Sequence, residues 1–265
     1  LLNHDRSFRY DDLTMRRRLG VALAFLTRLP VPARWIEGAR AEDVGRAAPL
    51  FPVAGAVVGA LLALVVLALA ARVTPLVNGA IAAALSALWT GGLHLDGLAD
   101  MADGFGGGRT RDDVLAIMRD HRIGAYGAVA LILAIVLEVA LIAALVEADA
   151  ARAARALVVA GTLSRASLVP LAAALPYARA DGGLGAALVG QLGAGSVAVA
   201  IALGAGAALA LGGWWGALAC AVAAALTLHD GFFVKRRIGG YTGDTLGAHV
   251  VVVELGVLLA AAVVS

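Results

Sequence analysis

Apolar residues run along this chain in windows of about 20, the length at which a helix crosses a hydrocarbon core of about 30 Å. Seven such windows are legible, at roughly 51–71, 76–95, 125–146, 156–176, 193–212, 214–229 and 247–264. The fifth and sixth are parted only by Gly212, Gly213, Trp214 and Trp215, and paired tryptophans suit an interfacial belt, so a tight hairpin is predicted there. Ala and Gly recur within the windows and allow helices to approach closely. Ahead of the first window, Arg16-Arg17-Arg18 and a short apolar run imitate a secretory signal. Arg28, Pro30 and Pro32 follow at once with no small-x-small cleavage site, so an interfacial amphipathic helix is expected instead. The predicted fold is all-α: a polytopic membrane bundle of about seven transmembrane helices plus an N-terminal interfacial helix. Residues 1–14 read as a polar, poorly ordered extension, and 15–265 as one membrane-embedded domain.

Composition agrees with the pattern, since 61% of the 265 residues are hydrophobic and only 15% charged, far from the soluble mixture. The basic residues are nearly all Arg and lie in loops rather than along a groove, so no nucleic-acid partner is expected. Cys220 is the single cysteine, which rules out an intrachain disulfide and reads as a small packed hydrophobe. Arg and Lys collect on one set of loops, against only Arg72, Arg152 and Arg155 on the other. The positive-inside rule then places the N-terminus in the cytoplasm and the C-terminus outside. It also brings the end of the second window, the segment 104–124 and the segment 230–246 to one cytoplasmic face. The sequence leaves a homo-oligomer open.

Candidate chemistry concentrates in the run from Gly91 to Gly104, which carries Asp96, Asp100 and Asp103. On a helix these fall within roughly 60° of one another, and oxygen-only ligands favour Mg²⁺, Mn²⁺ or Ca²⁺. The plainer alternative pairs these acids with Arg109, Arg111 and Arg119. Downstream, Arg119 and Arg122 can fork onto phosphate oxygens and Asp120 can complete a metal shell, or the segment is a basic anchor. His121 reads as a solvated loop residue. Arg165 lies inside the fourth window, where an ionised side chain requires a partner; the Asp cluster, an anionic substrate and Glu138 are the choices. The last polar segment holds Lys235, Arg236 and Arg237, then Gly239, Gly240, Asp244 and Gly247. Its glycines let backbone approach a ligand, although it lacks the spacing of a nucleotide-hydrolysing P-loop.

Five stretches, taken in order, resemble the cobalamin synthase family, also called adenosylcobinamide-GDP ribazoletransferase. They are 25–32, 51–55, Gly91 to Gly104, Arg119 to Gly127 and Gly239 to Ala248. The resemblance implies the final joining step of nucleotide-loop assembly in adenosylcobalamin. The ribose hydroxyl of α-ribazole, or of its 5′-phosphate, attacks the cobinamide-side phosphorus of adenosylcobinamide-GDP and GMP leaves, with Mg²⁺ required. On that footing Asp96, Asp100 and Asp103 would hold one or two Mg²⁺ ions. Arg119, Arg122, Arg165, Lys235, Arg236 and Asp244 would contact substrate, and Asp103 or Asp120 would take the ribose proton. No covalent step is expected, and Ser164 and Ser167 read as helix-packing hydroxyls. The acid-rich run also partly matches the motif of CDP-alcohol phosphotransferases, without their Arg after Ala99. A lipid-directed enzyme of that kind is therefore the first rival, and an ion-coupled transporter the second.

Overall fold

A computed structural model describes residues 14–120 and 122–264. Residues 1–13 of the expected extension and His121 lie outside the described residues. Thr14 belongs to the first helix, because its hydroxyl caps α1 (Met15–Leu26) by accepting from the Arg17 amide. Two short helices, α2 (Ala33–Ile36) and α3 (Ala41–Ala47), lead through the 3₁₀ turn Ala48–Leu50 into α4 (Phe51–Leu69). Then come α5 (Pro75–Thr90), α6 (Leu93–Gly107), α7 (Arg111–Ile117), α8 (Ala125–Ala148) and α9 (Ala150–Ala174). After the 3₁₀ turn Leu184–Leu188 the chain closes with α10 (Ala194–Gly212), α11 (Trp214–Ile238) and α12 (Gly243–Val263).

Among the described residues six segments are long and apolar enough to cross a membrane, and α5 with α6 makes a seventh only as a broken span bent by 90°. The protein is therefore a multi-pass membrane protein, and the expected second span at 76–95 is corrected. Gly91 and Gly92 take left-handed φ values of 65° and 71°, which side chains with a Cβ resist. The helix stops at Thr90 and restarts across the bundle, so the acidic run lies on a separate helix. A second correction concerns the polar segment 230–246, because α11 stays helical to Ile238 and Lys235, Arg236 and Arg237 form its last turn. Basic side chains there complement the negative end of the helix dipole. The hairpin at Trp214 is present, with Gly213 parting α10 from α11.

The core forms around α9, whose central window is 83% buried. It meets α4 backbone to backbone, since a Cβ on Gly55 would stand 1.9 Å from the Gly161 carbonyl oxygen and one on Gly59 would stand 2.5 Å from that of Leu157. Small residues substitute here for the hydrophobic force that lipid cannot supply. Exposed Leu, Ile and Val side chains on α8 and α10, such as Ile132, Leu133 and Ile201, face outward as a lipid surface requires. Arg165 is only 1% exposed, pairs with Glu254 of α12 and donates to the Ser164 hydroxyl oxygen. A salt bridge between α9 and α12 thus satisfies the intramembrane cation. Its acid is not among the partners expected from sequence.

Candidate active site

α6 crosses α12 at glycine. A Cβ on Gly97 would lie 2.7 Å from the Asp244 carbonyl oxygen and 3.1 Å from the Gly247 Cα. This contact sets Asp96 of α6 beside the first turn of α12. Thr242 caps that turn with its hydroxyl on the Thr245 amide, and Asp244 occupies the positive end of the helix, where an anion is favoured. Asp96 and Asp244 are close enough for their charges to interact, and both line a cavity of ≈ 210 Å³.

The same cavity receives two groups to which sequence reasoning gave no role. His94 is 5% exposed, and its Nε2 is buried without a hydrogen-bond partner. Arg179 reaches in from the loop after α9 and donates from Nη2 to Asp244 Oδ2 at 2.6 Å and to the Met118 carbonyl at 3.3 Å. Its Nε is also buried and unpartnered. Polar groups left unsatisfied at the edge of a cavity are costly and point to a ligand. His94 was present in the acid-rich run, whereas Arg179 stands 79 positions from Asp100 and carries no local signal.

Asp96 also borders a second, larger cavity of ≈ 700 Å³ between the end of α1 and the Gly91-Gly92 bend. Arg28 lines it, with its side chain laid against Gly91 and its amide bonded to the Trp89 carbonyl at 2.6 Å.

The loops expected to converge do so. Arg237 of α11 donates to the carbonyls of Phe105 at 2.9 Å and Gly108 at 2.7 Å. Arg111 bonds the carbonyls of Ile238 at 2.9 Å and Ala178 at 2.6 Å. Ala178 and Pro176 pair with Tyr241 across a short parallel bridge between Tyr177 and Tyr241. Burial raises the phenols of both tyrosines, that of Tyr241 to about 12, so both stay neutral donors in this loop cluster.

The structure separates other residues that the sequence grouped. Asp103 is engaged by the start of α8, where its oxygens accept from Gly124 N at 2.7 Å and Gly127 N at 2.8 Å. Both oxygens thus serve the uncapped end of α8. Among the described residues no three His, Cys, Asp or Glu side chains come close enough to hold an ion by themselves, so the expected trio does not converge as a preformed cage. Asp100 follows Asp96 by one turn on α6 and has a protein partner of its own. Arg119 pairs with Asp181, and exposed Arg122 forks onto Asp120 at 2.7 Å. Lys235 and Arg236 are exposed on α11. Arg165 lines neither of the two cavities that meet at Asp96.

A further polar cluster joins α9, α11 and α12. His249 is 2.7 Å from Asp230 through Nδ1 and 3.0 Å from the Ser167 hydroxyl through Nε2. A serine therefore stands beside a base. Its hydroxyl donates to the Ser164 carbonyl at 2.8 Å, which leaves the oxygen facing His249 as an acceptor. That polarity is the reverse of an activated nucleophile, and the cluster acts as an interhelical clamp.

The donor set suits a hard cation. Asp96 on α6 and Asp244 on α12 offer oxygen only, and Mg²⁺ is ordinarily held by one or two carboxylates with the rest of its shell from water and substrate phosphates. The absence of a closed cage is compatible with that habit.

The sequence profile of the cobalamin-5-phosphate synthase family matches residues 18–262. A protein of Ralstonia nicotianae described as adenosylcobinamide-GDP ribazoletransferase is 43% identical over 245 residues, covering 91% of this chain and 93% of its own. Proteins of the same description from Rhizobium etli and Klebsiella pneumoniae are 42% and 40% identical, covering 91% and 90% of this chain and 94% and 95% of theirs. No solved structure matches. With nearly the whole length matched, this chain belongs to the cobalamin-5-phosphate synthase family.

Proposed function

We propose that this chain is an adenosylcobinamide-GDP ribazoletransferase, joining cobinamide phosphate to the ribose of α-ribazole or its 5′-phosphate with release of GMP. The reading is carried by the cavity at the α6–α12 crossing, where two facing carboxylates, an unpartnered imidazole nitrogen and a half-used guanidinium surround one space. In the reaction a ribose oxygen bonds to the cobinamide-side phosphorus, the bond from that phosphorus to the bridging oxygen breaks, and GMP carries the oxygen away. Such a displacement needs alignment and charge neutralisation more than covalent help. Asp96 and Asp244 would hold Mg²⁺, which supplies neutralisation of the diphosphate and of the departing GMP oxygen when bound. Arg179 is drawn from Asp244 toward phosphate oxygens, which its planar fork matches. His94 Nε2 takes the ribose proton. It replaces Asp103 and Asp120 in that role because the oxygens of the first are bonded to α8 amides and the second faces Arg122.

The excess of Arg and Lys on the loops that carry this cavity supports a cytoplasmic orientation in a bacterial inner membrane. Purified protein given Mg²⁺, adenosylcobinamide-GDP and α-ribazole releases GMP on this reading. Release only with a lipid alcohol as acceptor would overturn it.

A further inference from the structure

The two cavities that meet at Asp96 differ in character. Leu93, Phe25 and Leu184 border both, as Asp96 does. The smaller, of ≈ 210 Å³, is otherwise walled by deeply buried side chains, among them Leu26, Phe51, Leu168 and Leu188. Its polar groups gather at one edge, where His94, Asp96, Arg179 and Asp244 stand. The larger, of ≈ 700 Å³, includes the exposed residues Ala24, Arg28, Ile123 and Ile135, so it opens outward. Arg28 is the one cation in its lining among the described residues.

The two substrates differ in the same way. The acceptor is a small nucleoside, with a flat apolar bicyclic base and a hydroxyl-rich sugar. The donor is a bulky amphiphile carrying a diphosphate and a nucleotide. A small, largely apolar chamber with one polar edge matches the acceptor, because a pocket of this size excludes a bulky group while Arg179 at its edge suits a phosphate. Phe51 lies 5.7 Å from Phe25 in a stacked pair and presents a ring to that chamber alone. In-line displacement further requires the attacking and leaving oxygens on opposite sides of phosphorus, and two distinct chambers that share Asp96 give the two reactants separate approaches to it.

We propose that the chambers divide the substrates: the nucleoside occupies the smaller with its base beside Phe51 and its ribose toward His94, and the GDP-bearing donor occupies the larger beside Arg28. This inference rests on the reaction proposed above and adds a place for each reactant. Asp96, in the shared wall, then marks where the diphosphate crosses.

Substitutions that narrow one chamber test the division. Leu168→Phe intrudes on the smaller chamber and Ala24→Trp on the larger. Leu168→Phe is expected to raise KM for α-ribazole at least tenfold while KM for adenosylcobinamide-GDP stays within twofold, and Ala24→Trp to do the reverse. Leu168 is packed tightly enough that its variant can fail to fold, so a second measurement uses Ala24→Cys in a Cys220→Ser background. Maleimide labelling of that cysteine is expected to slow in the presence of adenosylcobinamide-GDP and to be unchanged by α-ribazole. Protection by α-ribazole, or a rise in the α-ribazole KM of Ala24→Trp, overturns the division. Protection by adenosylcobinamide-GDP in a protein that releases no GMP would instead remove the reaction and leave the donor's chamber in place.

Discussion

Gly97→Ala separates the geometry of the site from the stability of the bundle. The added Cβ would stand 2.7 Å from the Asp244 carbonyl oxygen and 3.1 Å from the Cα atoms of Asp244 and Gly247, all backbone positions without a rotamer to turn. Restoring a contact of about 3.4 Å moves α6 and α12 apart by roughly 0.7 Å. Overpacking of this kind costs about 1–3 kcal/mol, and the gain in helix propensity from Gly to Ala offsets about 1 kcal/mol of it. Net stability therefore falls by about 0–2 kcal/mol, a small change in melting temperature. Catalysis is more sensitive, because a displacement approaching 1 Å between catalytic groups can lower the rate about 100-fold, and Asp96 and Asp244 are the groups displaced. The assay is GMP release by protein in detergent, alongside a thermal melt. Gly206→Ala on α10 is the control: beyond its own helix backbone, no atom of the described residues lies within 4 Å of its added Cβ, and it should leave turnover unchanged while stabilising by about 0.5–1 kcal/mol. Turnover of Gly97→Ala equal to the parent protein would refute a site built on this helix crossing.

Other expectations follow from the same contacts. Asp103→Asn turns an amide donor toward the amides of Gly124 and Gly127, so it should destabilise by about 1–3 kcal/mol, seen as a lower melting temperature. A ligand role alone would instead leave the melt unchanged and lose only activity. Arg165→Ala strands Glu254 in the bundle and should cost about 3 kcal/mol or more; an unaltered melt contradicts the α9–α12 bridge. His94→Ala should lower kcat of GMP release while binding of α-ribazole persists, and equal kcat would remove His94 as the proton acceptor.

How much of this was legible beforehand depended on the range of the interaction. Apolar windows placed α4, α8, α9, α10 and α12 because lipid solvation acts residue by residue. The Gly91-Gly92 pair was visible, yet 20 apolar residues outweighed it, and the break at this pair aims α6 across the bundle. The end of α11 was misjudged because Lys235, Arg236 and Arg237 look like loop residues until the C-terminal helix dipole is considered. The acidic run was found as a unit, since i, i+4 and i+7 share a helical face. What the period could not reveal is that Asp103 meets a helix end more than 20 residues later, that Arg165 finds Glu254, or that Arg179 folds back onto Asp244. Each is a long-range pairing with no trace in local spacing. The Ser167–His249–Asp230 clamp was missed for the same reason, its three members lying on three helices.

The most direct test of the account is GMP release as a function of Mg²⁺ concentration for the parent protein and Asp96→Asn. Release should rise with Mg²⁺ and stop on chelation, and Asp96→Asn should lose about 100-fold or more of the turnover with an unchanged melting temperature. Turnover that ignores Mg²⁺, or an Asp96→Asn variant as active as its parent, would contradict the claim that this carboxylate stands where the diphosphate is cleaved.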